Sequence, residues 1–196
     1  MTALPARVQH LFLARHGRTA LEAQDRVCGR ADPCIDTVGI SEAEALGNAM
    51  VAQGVACVVS SPLQRARQTA HIVALAIGAP EHVDDDLTDR AYGPHTGLRH
   101  ADVEASWTSI DRAPGAEPLS LVRRRTTDVL NRLLDAPGMD AVLVVTHDAL
   151  IRAFLTPLAP EQVLTAPTGS WAWCARRGRE WALIAADQRP GGRVLR

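Results

Sequence analysis

Val8-Gln9-His10-Leu11-Phe12-Leu13-Ala14-Arg15-His16-Gly17 passes abruptly from an apolar run to a basic pair and a glycine. Val8 to Ala14 is nearly continuous apolar sequence, without the alternation of a strand that has one face in water, so it predicts an interior strand covered on both faces. Val55 to Val59 and Ala141 to Val145 repeat the pattern. Between them run helical stripes. Leu63, Ala66, Ala70, Val73 and Ile77 recur at the spacing of one helix face, and Val122, Val129, Leu130, Leu133 and Leu134 supply another. Buried strands alternating with amphipathic helices predict an α/β fold, a three-layer α/β/α sandwich with a mostly parallel central sheet.

Two helix starts have local signals. Ser61 before Pro62 suits an N-cap followed by a proline at the first helical position, and Ser41 with Glu44 has the capping-box spacing. Residues 90–118 are rich in Gly, Pro and polar residues and read as a long excursion over the strand ends, with a short helix around Val103 to Trp107. Trp171 and Trp173 alternate with smaller residues, and Trp181 to Ala185 offers a further strand after the polar Arg176 to Arg179 turn. The tails, Met1 to Ala6 and Asp187 to Arg196, carry little ordering signal. A chain of 196 residues without an internal repeat is expected to form one domain over residues 1–196.

The formal net charge of -1 argues against nucleic acid as a partner. No apolar run approaches bilayer-spanning length, and Leu11 to Ala14 is too short for a signal peptide, so neither a membrane partner nor export is expected and the location expected is cytoplasmic. Cys28, Cys34, Cys57 and Cys174 form no CxxC pair, which favours free thiols and offers no sequence-local zinc site.

His16 stands where open α/β sheets place ligands, at the end of a strand, and Gly17 permits a tight turn or close ligand approach. An unprotonated imidazole is a nucleophile, and an adjacent arginine presents a fork of donors to phosphate oxygens. Taken alone, His16 reads more simply as a surface or structural histidine. Arg65 lies one turn into a helix after the second apolar run, and His147 follows the third. Each is unremarkable in isolation. Together, three strand ends that each deliver a basic residue make a coherent receptor for a dianionic phosphoryl group. Asp89 begins the excursion. A carboxyl beside bound phosphate favours its protonated form and can serve as a general acid, although a turn residue in the acidic run Asp84 to Asp89 is the simpler reading of that segment alone.

Leu13-Ala14-Arg15-His16-Gly17-Arg18-Thr19 resembles the LxRHGxT signature of the histidine phosphatase superfamily, in its phosphoglycerate-mutase-like branch. Ser61-Pro62-Leu63-Gln64-Arg65-Ala66-Arg67-Gln68-Thr69-Ala70 is similar to its SPLxRAxQTA segment. Leu87-Thr88-Asp89-Arg90-Ala91-Tyr92-Gly93 resembles its LxExxxG stretch with aspartate for glutamate. Pro114-Gly115-Ala116-Glu117 resembles PGGE, and Val145-Thr146-His147-Asp148 resembles the late VxHG segment.

The resemblance implies a phosphoglycerate-mutase-like fold and a metal-independent phosphomonoester phosphatase. His16 would attack phosphorus, Asp89 and His147 would complete the catalytic set, and Arg15, Arg65 and His147 would hold the phosphoryl oxygens. No cofactor or metal is implied. The expected partner is a small phosphorylated substrate, and a homodimer is compatible with the reading. A phosphoglycerate-type mutase is the alternative, disfavoured because only sixteen residues separate Gly97 from Pro114 and that interval lacks a close Arg pair. An inactive phosphate-binding regulatory module is the other alternative. Glu117 reads as a helix cap, an ion-pair partner or a support for the excursion, and Gly29-Arg30 resembles a family segment that shapes the pocket. Three departures bear on substrate range. Glu22 stands where many relatives have asparagine, and its charge would oppose substrate if it faced inward. Arg18, where relatives often carry glutamate, could pair with Glu22. Asp148 replaces a glycine and could cap the helix that follows.

Overall fold

The computed structural model of the chain describes residues 8–189. Its sheet contains β1 (Val8–Arg15), β2 (Cys57–Ser60), β3 (Glu81–Val83), β4 (Ala141–Thr146), β5 (Trp171–Arg177) and β6 (Glu180–Gln188), in the order β3-β2-β4-β1-β5-β6. The β3-β2, β2-β4 and β4-β1 pairings are parallel, and β5 and β6 extend the sheet antiparallel. The helices are α1 (Ala20–Ala23), α2 (Thr37–Met50), α3 (Gln64–Ile77), α4 (His100–Trp107), α5 (Leu119–Asp135) and α6 (Asp148–Leu155).

The apolar strands are continuous because each divides its side chains between two cores. In β1, Leu11 and Leu13 enter the core shared with Val122, Val129 and Leu130 of α5 and Leu150 and Phe154 of α6. Phe12 and Ala14 enter the other, with Leu46 and Met50 of α2 and Ala66, Ala70 and Val73 of α3. β4 divides the same way, Val142 and Val144 to one side and Ala141, Leu143 and Val145 to the other. A fully buried side chain of this size contributes about 1.5–3 kcal/mol. The three layers expected from the sequence are therefore the observed architecture.

Both predicted helix starts are displaced. α2 begins at Thr37 because Asp36 is its N-cap, accepting from the Gly39 amide at 2.9 Å; Ser41 lies inside the helix and bonds back to the Thr37 carbonyl. The capping box is instead at Thr19 and Glu22, at the start of α1. α3 begins at Gln64, and its first amide donates at 2.6 Å to Asp32 Oδ1, a cap from another loop, while Ser61 Oγ accepts the Leu63 amide at 3.3 Å just before the helix. At the C-terminal end β6 runs through Asp187 to Gln188, beyond the strand expected from sequence; residues 190–196 of that tail and Met1 to Ala6 lie outside the described residues.

Gly17 is required by backbone rather than by a ligand. A Cβ there would stand 2.4 Å from the Gly39 carbonyl oxygen, and one on Gly39 would stand 2.3 Å from the Arg18 carbonyl oxygen. The loop after β1 is thus pressed against the first turn of α2. Gly39→Ala is expected to lower stability by about 1–3 kcal/mol through overpacking, read as a lower urea midpoint; an unchanged midpoint would contradict that contact.

Candidate active site

β1, β2 and β4 run parallel and end at one edge of the sheet, with Arg15 opposite Thr146 and Ser60 opposite Val145. Whatever follows each strand is delivered to the same place. His16 follows β1, with its amide bonded to the Thr146 carbonyl at 3.0 Å; His147 follows β4; and Arg65 lies in the first turn of α3 after β2. The five side chains singled out in the sequence converge here.

Arg65, with no exposed surface, joins His16, Asp89 and His147. Its Nε donates to His16 Nε2 at 3.0 Å, and the two hydrogens of its Nη2 are shared among three acceptors, Asp89 Oδ2 at 3.0 Å, His147 Nδ1 at 3.1 Å and the Gly29 carbonyl at 2.7 Å. Nη1 donates to the Ala31 carbonyl at 2.7 Å. These contacts fix both imidazole tautomers. His16 Nδ1 lies 2.8 Å from the Gly17 carbonyl, which can only accept, so that nitrogen carries the proton and Nε2 keeps its lone pair. His147 Nδ1 accepts from Arg65, so its proton is on Nε2, donated to Ser61 Oγ at 2.8 Å. The two rings lie 5.1 Å apart between centroids.

Burial shapes the electrostatics. Burial first, and then the Arg65 and Arg15 charges, hold the pKa of His16 well below the ordinary imidazole value, and the same causes with His16 act on His147. Both rings are neutral at neutral pH. Asp89 is raised to about 6, because burial outweighs the opposing attraction of Arg65, the amide bond from Arg90 and the charge of Arg15.

A cleft of about 360 Å³ opens onto Arg15, His16, Glu22, Cys28 and Asp89, with Asp25, Arg26, Tyr92 and His100 among the residues farther along its wall. Arg65 and His147 do not reach its lining. Arg15 donates from Nη1 to the Ala166 carbonyl at 2.9 Å, while its Nε is buried with no hydrogen-bond acceptor. The excursion forms part of the wall. It contains α4 and two short 3-10 turns, Gly93–His95 and Ile110–Arg112, and it docks on the segment after α1 through the bonds Val27 N to Leu98 O and Gly97 N to Val27 O. Val103 and Ala113 pack with Val27 beneath it.

The sequence departures resolve individually. Glu22 does face inward. Its Oε2 accepts from the Thr19 amide at 2.9 Å and hydroxyl at 2.6 Å, and its Oε1 lies 3.3 Å from Arg15 Nη2 and 3.6 Å from His16 Nε2. Arg18 pairs with Asp36 at 2.9 Å and not with Glu22, because the capping box holds Glu22 turned away. His147 rather than Asp148 is the N-cap of α6; Asp148 begins that helix and pairs with Arg152 at 2.8 Å. Glu117 is a structural support, accepting from Arg125 at 2.9 Å and from the Ala91 amide at 3.1 Å. Gly29 serves the site through its carbonyl, while Arg30 Nε approaches the Asp89 carbonyl at 3.4 Å. Sequence reasoning missed Ser61 as the partner of His147. It also missed Thr69, whose hydroxyl accepts from the Gly17 amide at 2.9 Å and donates to the Arg65 carbonyl at 2.8 Å. Thr69 follows Arg65 by one helical turn, a spacing that could have marked it.

The sequence profile of the "Histidine phosphatase superfamily (branch 1)" matches residues 11–186. The chain belongs to that family. Among its relatives, the "Bifunctional protein Rv2228c" of Mycobacterium tuberculosis is 36% identical over 156 residues, covering 74% of this chain and 43% of that protein. The chain thus spans less than half the length of that relative. The "Glucosyl-3-phosphoglycerate phosphatase" of Mycolicibacterium vanbaalenii is 29% identical over 203 residues, covering 95% of this chain and 88% of that one. In fold, the chain matches the crystal structure of the phosphoglycerate mutase of Bacillus anthracis with a TM-score of 0.84 at 20% identity, over 94% of this chain and 95% of that one. By sequence, the relatives of the chain carry both phosphatase and mutase names, the latter in the "2,3-bisphosphoglycerate-dependent phosphoglycerate mutase" of a Methylobacterium strain, 31% identical over 168 residues that cover 76% of this chain and 79% of that one. Among the described residues, no helix is long and apolar enough to cross a membrane, and no group of three or more His, Cys, Asp or Glu side chains could hold a metal ion.

Proposed function

We propose that the chain is a phosphomonoester phosphatase that works through a phosphohistidine on His16 and acts on a small phosphorylated metabolite. The observation that carries this reading is the His16 tautomer: a neutral imidazole, anchored through Nδ1–H on the Gly17 carbonyl, with its Nε2 lone pair beside two arginines. A neutral nitrogen held among cations suits attack on an anionic phosphoryl group.

In this scheme Nε2 forms the bond to phosphorus while the bond to the leaving oxygen breaks, and Asp89 gives that oxygen its proton. As the lone pair is consumed, the Arg65 Nε–H that it accepted is released to a phosphoryl oxygen. Arg15, with its buried, unpaired Nε–H, supplies a further donor. The incoming dianion favours a proton on His147 Nδ1, which then donates as well. Water next attacks phosphorus, Asp89 takes its proton, and the bond to Nε2 breaks to free His16. No step is routed through a metal.

Hydrolysis is favoured over mutase chemistry by the cations of the cleft. Arg18 is tied through Nε to Asp36, and Arg26 through Nη1 to the Gly97 carbonyl at 2.7 Å and through Nε to Gln24 Oε1 at 3.1 Å, so each is partly committed to protein acceptors and offers only its remaining N–H groups to the carboxylate of a phosphorylated hydroxyacid. The direct test follows phosphate release from a panel of small phosphomonoesters in the presence of chelator. Absence of release across the panel, together with failure to trap an acid-labile phosphoprotein, would refute the proposal, and retention of the phosphoryl group in an isomerised product would indicate a mutase.

The acid role of Asp89 has its own signature. The group works only when protonated, so with Asp89 at about 6 the kcat/KM for poor leaving groups is expected to fall as pH rises through about 6. In kcat/KM, which reports only the steps up to departure of the leaving group, Asp89→Asn should slow alkyl phosphates by about 10²-fold or more, spare aryl phosphates and remove that limb of the profile. Equal slowing of both substrate types would sink the assignment.

A further inference from the structure

Glu22 has a place in the site that the phosphatase reading leaves unexplained. Reacting atoms must approach to about 3–3.5 Å before bond formation, so phosphorus has to arrive at about that distance from His16 Nε2. Glu22 Oε1 is already 3.6 Å from that nitrogen and 3.3 Å from Arg15 Nη2. The carboxylate is not a wandering surface group. Its other oxygen is held by the Thr19 amide and hydroxyl, and its side chain is 13% exposed. Each arginine of the resting site therefore has its own carboxylate, Arg15 with Glu22 and Arg65 with Asp89.

We infer that Glu22 is a resident competitor for the phosphoryl position, an affinity-setting residue that a phosphate group must displace from Arg15 and that weakens retention of the phosphate product. Glu22 Oε1 stands where a phosphoryl oxygen would meet Arg15 Nη2, and a carboxylate left beside a bound dianion repels it across a few ångströms. Even with the moderate screening of a partly buried site, that repulsion exceeds the free energy of a tenfold change in affinity. The consequence is a site that accepts phosphomonoesters with modest affinity and releases inorganic phosphate readily. This rests on the phosphatase reading for its biological sense, but phosphate binding can be measured without turnover.

The test is calorimetric titration of the full chain with inorganic phosphate, and separately with orthovanadate, for the wild type and for Glu22→Gln. Glutamine is isosteric. Its amide oxygen can keep the Thr19 contacts, while its NH2 replaces the repelling oxygen with a donor. Glu22→Gln is expected to bind inorganic phosphate at least about tenfold more tightly and to be inhibited by product at correspondingly lower concentration. A general field effect is separated by Asp25→Asn, which removes another carboxylate of the same cleft that makes no contact with Arg15 and should tighten binding less than about threefold. Unchanged or weaker phosphate binding in Glu22→Gln, or equal tightening in both variants, overturns the inference. Should glutamine fail to hold the cap, shown by loss of the thermal transition, Glu22→Ala is titrated instead with the same expected direction. Tightened binding without turnover of any phosphomonoester would refute the phosphatase reading and leave Glu22 as the competitor; turnover with unaltered phosphate affinity would do the reverse.

Discussion

His16→Ala is expected to lower kcat for every phosphomonoester by about 10⁴-fold or more while the chain still folds and still binds phosphate. The size follows from what is removed. Without Nε2 no covalent intermediate forms, and direct attack by water must cross the barrier that the two-step route divides. Binding survives because Arg15 and Arg65 remain, and deletion of the ring leaves Arg65 Nε–H without its acceptor and available to the anion. Without ligand, that orphaned buried donor costs about 1–3 kcal/mol, visible as a lower urea midpoint that added phosphate restores. The pH behaviour of the wild type gives a second check. Burial and two arginines hold His16 well below the ordinary imidazole range, so the nucleophile is present throughout neutral pH and no acid-side loss of activity is expected near 6.5. Residual turnover within a factor of about ten of wild type would remove His16 from the nucleophilic role.

The fold was legible because its signals were one-dimensional. Val8 to Ala14 and Ala141 to Val145 are apolar on successive residues, as a strand buried on both faces demands, and α5 and α3 display their stripes directly. Helix boundaries were less legible. Asp32 caps α3 from another loop, and Ser61, with every local mark of an N-cap, accepts the Leu63 amide ahead of the helix and holds His147 as well. No local pattern distinguishes those outcomes, because the competing acceptor lies about thirty residues upstream. The convergence of Arg15, His16, Arg65, Asp89 and His147 could be expected once three parallel strands were assumed to end at one edge. The pairing inside that group could not. Glu22 and Arg18 are four residues apart and of opposite charge, yet Thr19 claims one oxygen of Glu22, Arg15 approaches the other, and Asp36 takes Arg18. Charge and spacing gave a candidate pair, and the capping geometry of a four-residue helix decided against it.

Arg65→Met should be the most destabilising single change in the site. The guanidinium has no exposed surface and is the only charged partner within hydrogen-bond reach of Asp89 Oδ2 among the described residues, while it also satisfies the Gly29 and Ala31 carbonyls and both imidazoles. Removing one member of such a buried pair costs about 3–5 kcal/mol, since the other charge is left uncompensated. Activity should fall by about 10²–10³-fold as well, the usual loss on deleting a preorganised donor to the transition state. These two losses can be told apart by pH. Asp89 has a folded-state pKa of about 6, so at pH 7.5 it is a carboxylate that needs Arg65, and at pH 5 it holds a proton and needs it less. The stability cost of Arg65→Met should therefore shrink as pH falls through about 6, and the same relief should follow at pH 7.5 when Asp89→Asn is added. The catalytic loss should persist under both conditions, because protonating or neutralising Asp89 does not restore a donor beside His16 Nε2. A stability cost that is the same at pH 5 and pH 7.5, and the same with Asp89 or asparagine, would mean that Arg65 supports the fold through its carbonyl contacts alone and that the buried ion pair is not what organises the site.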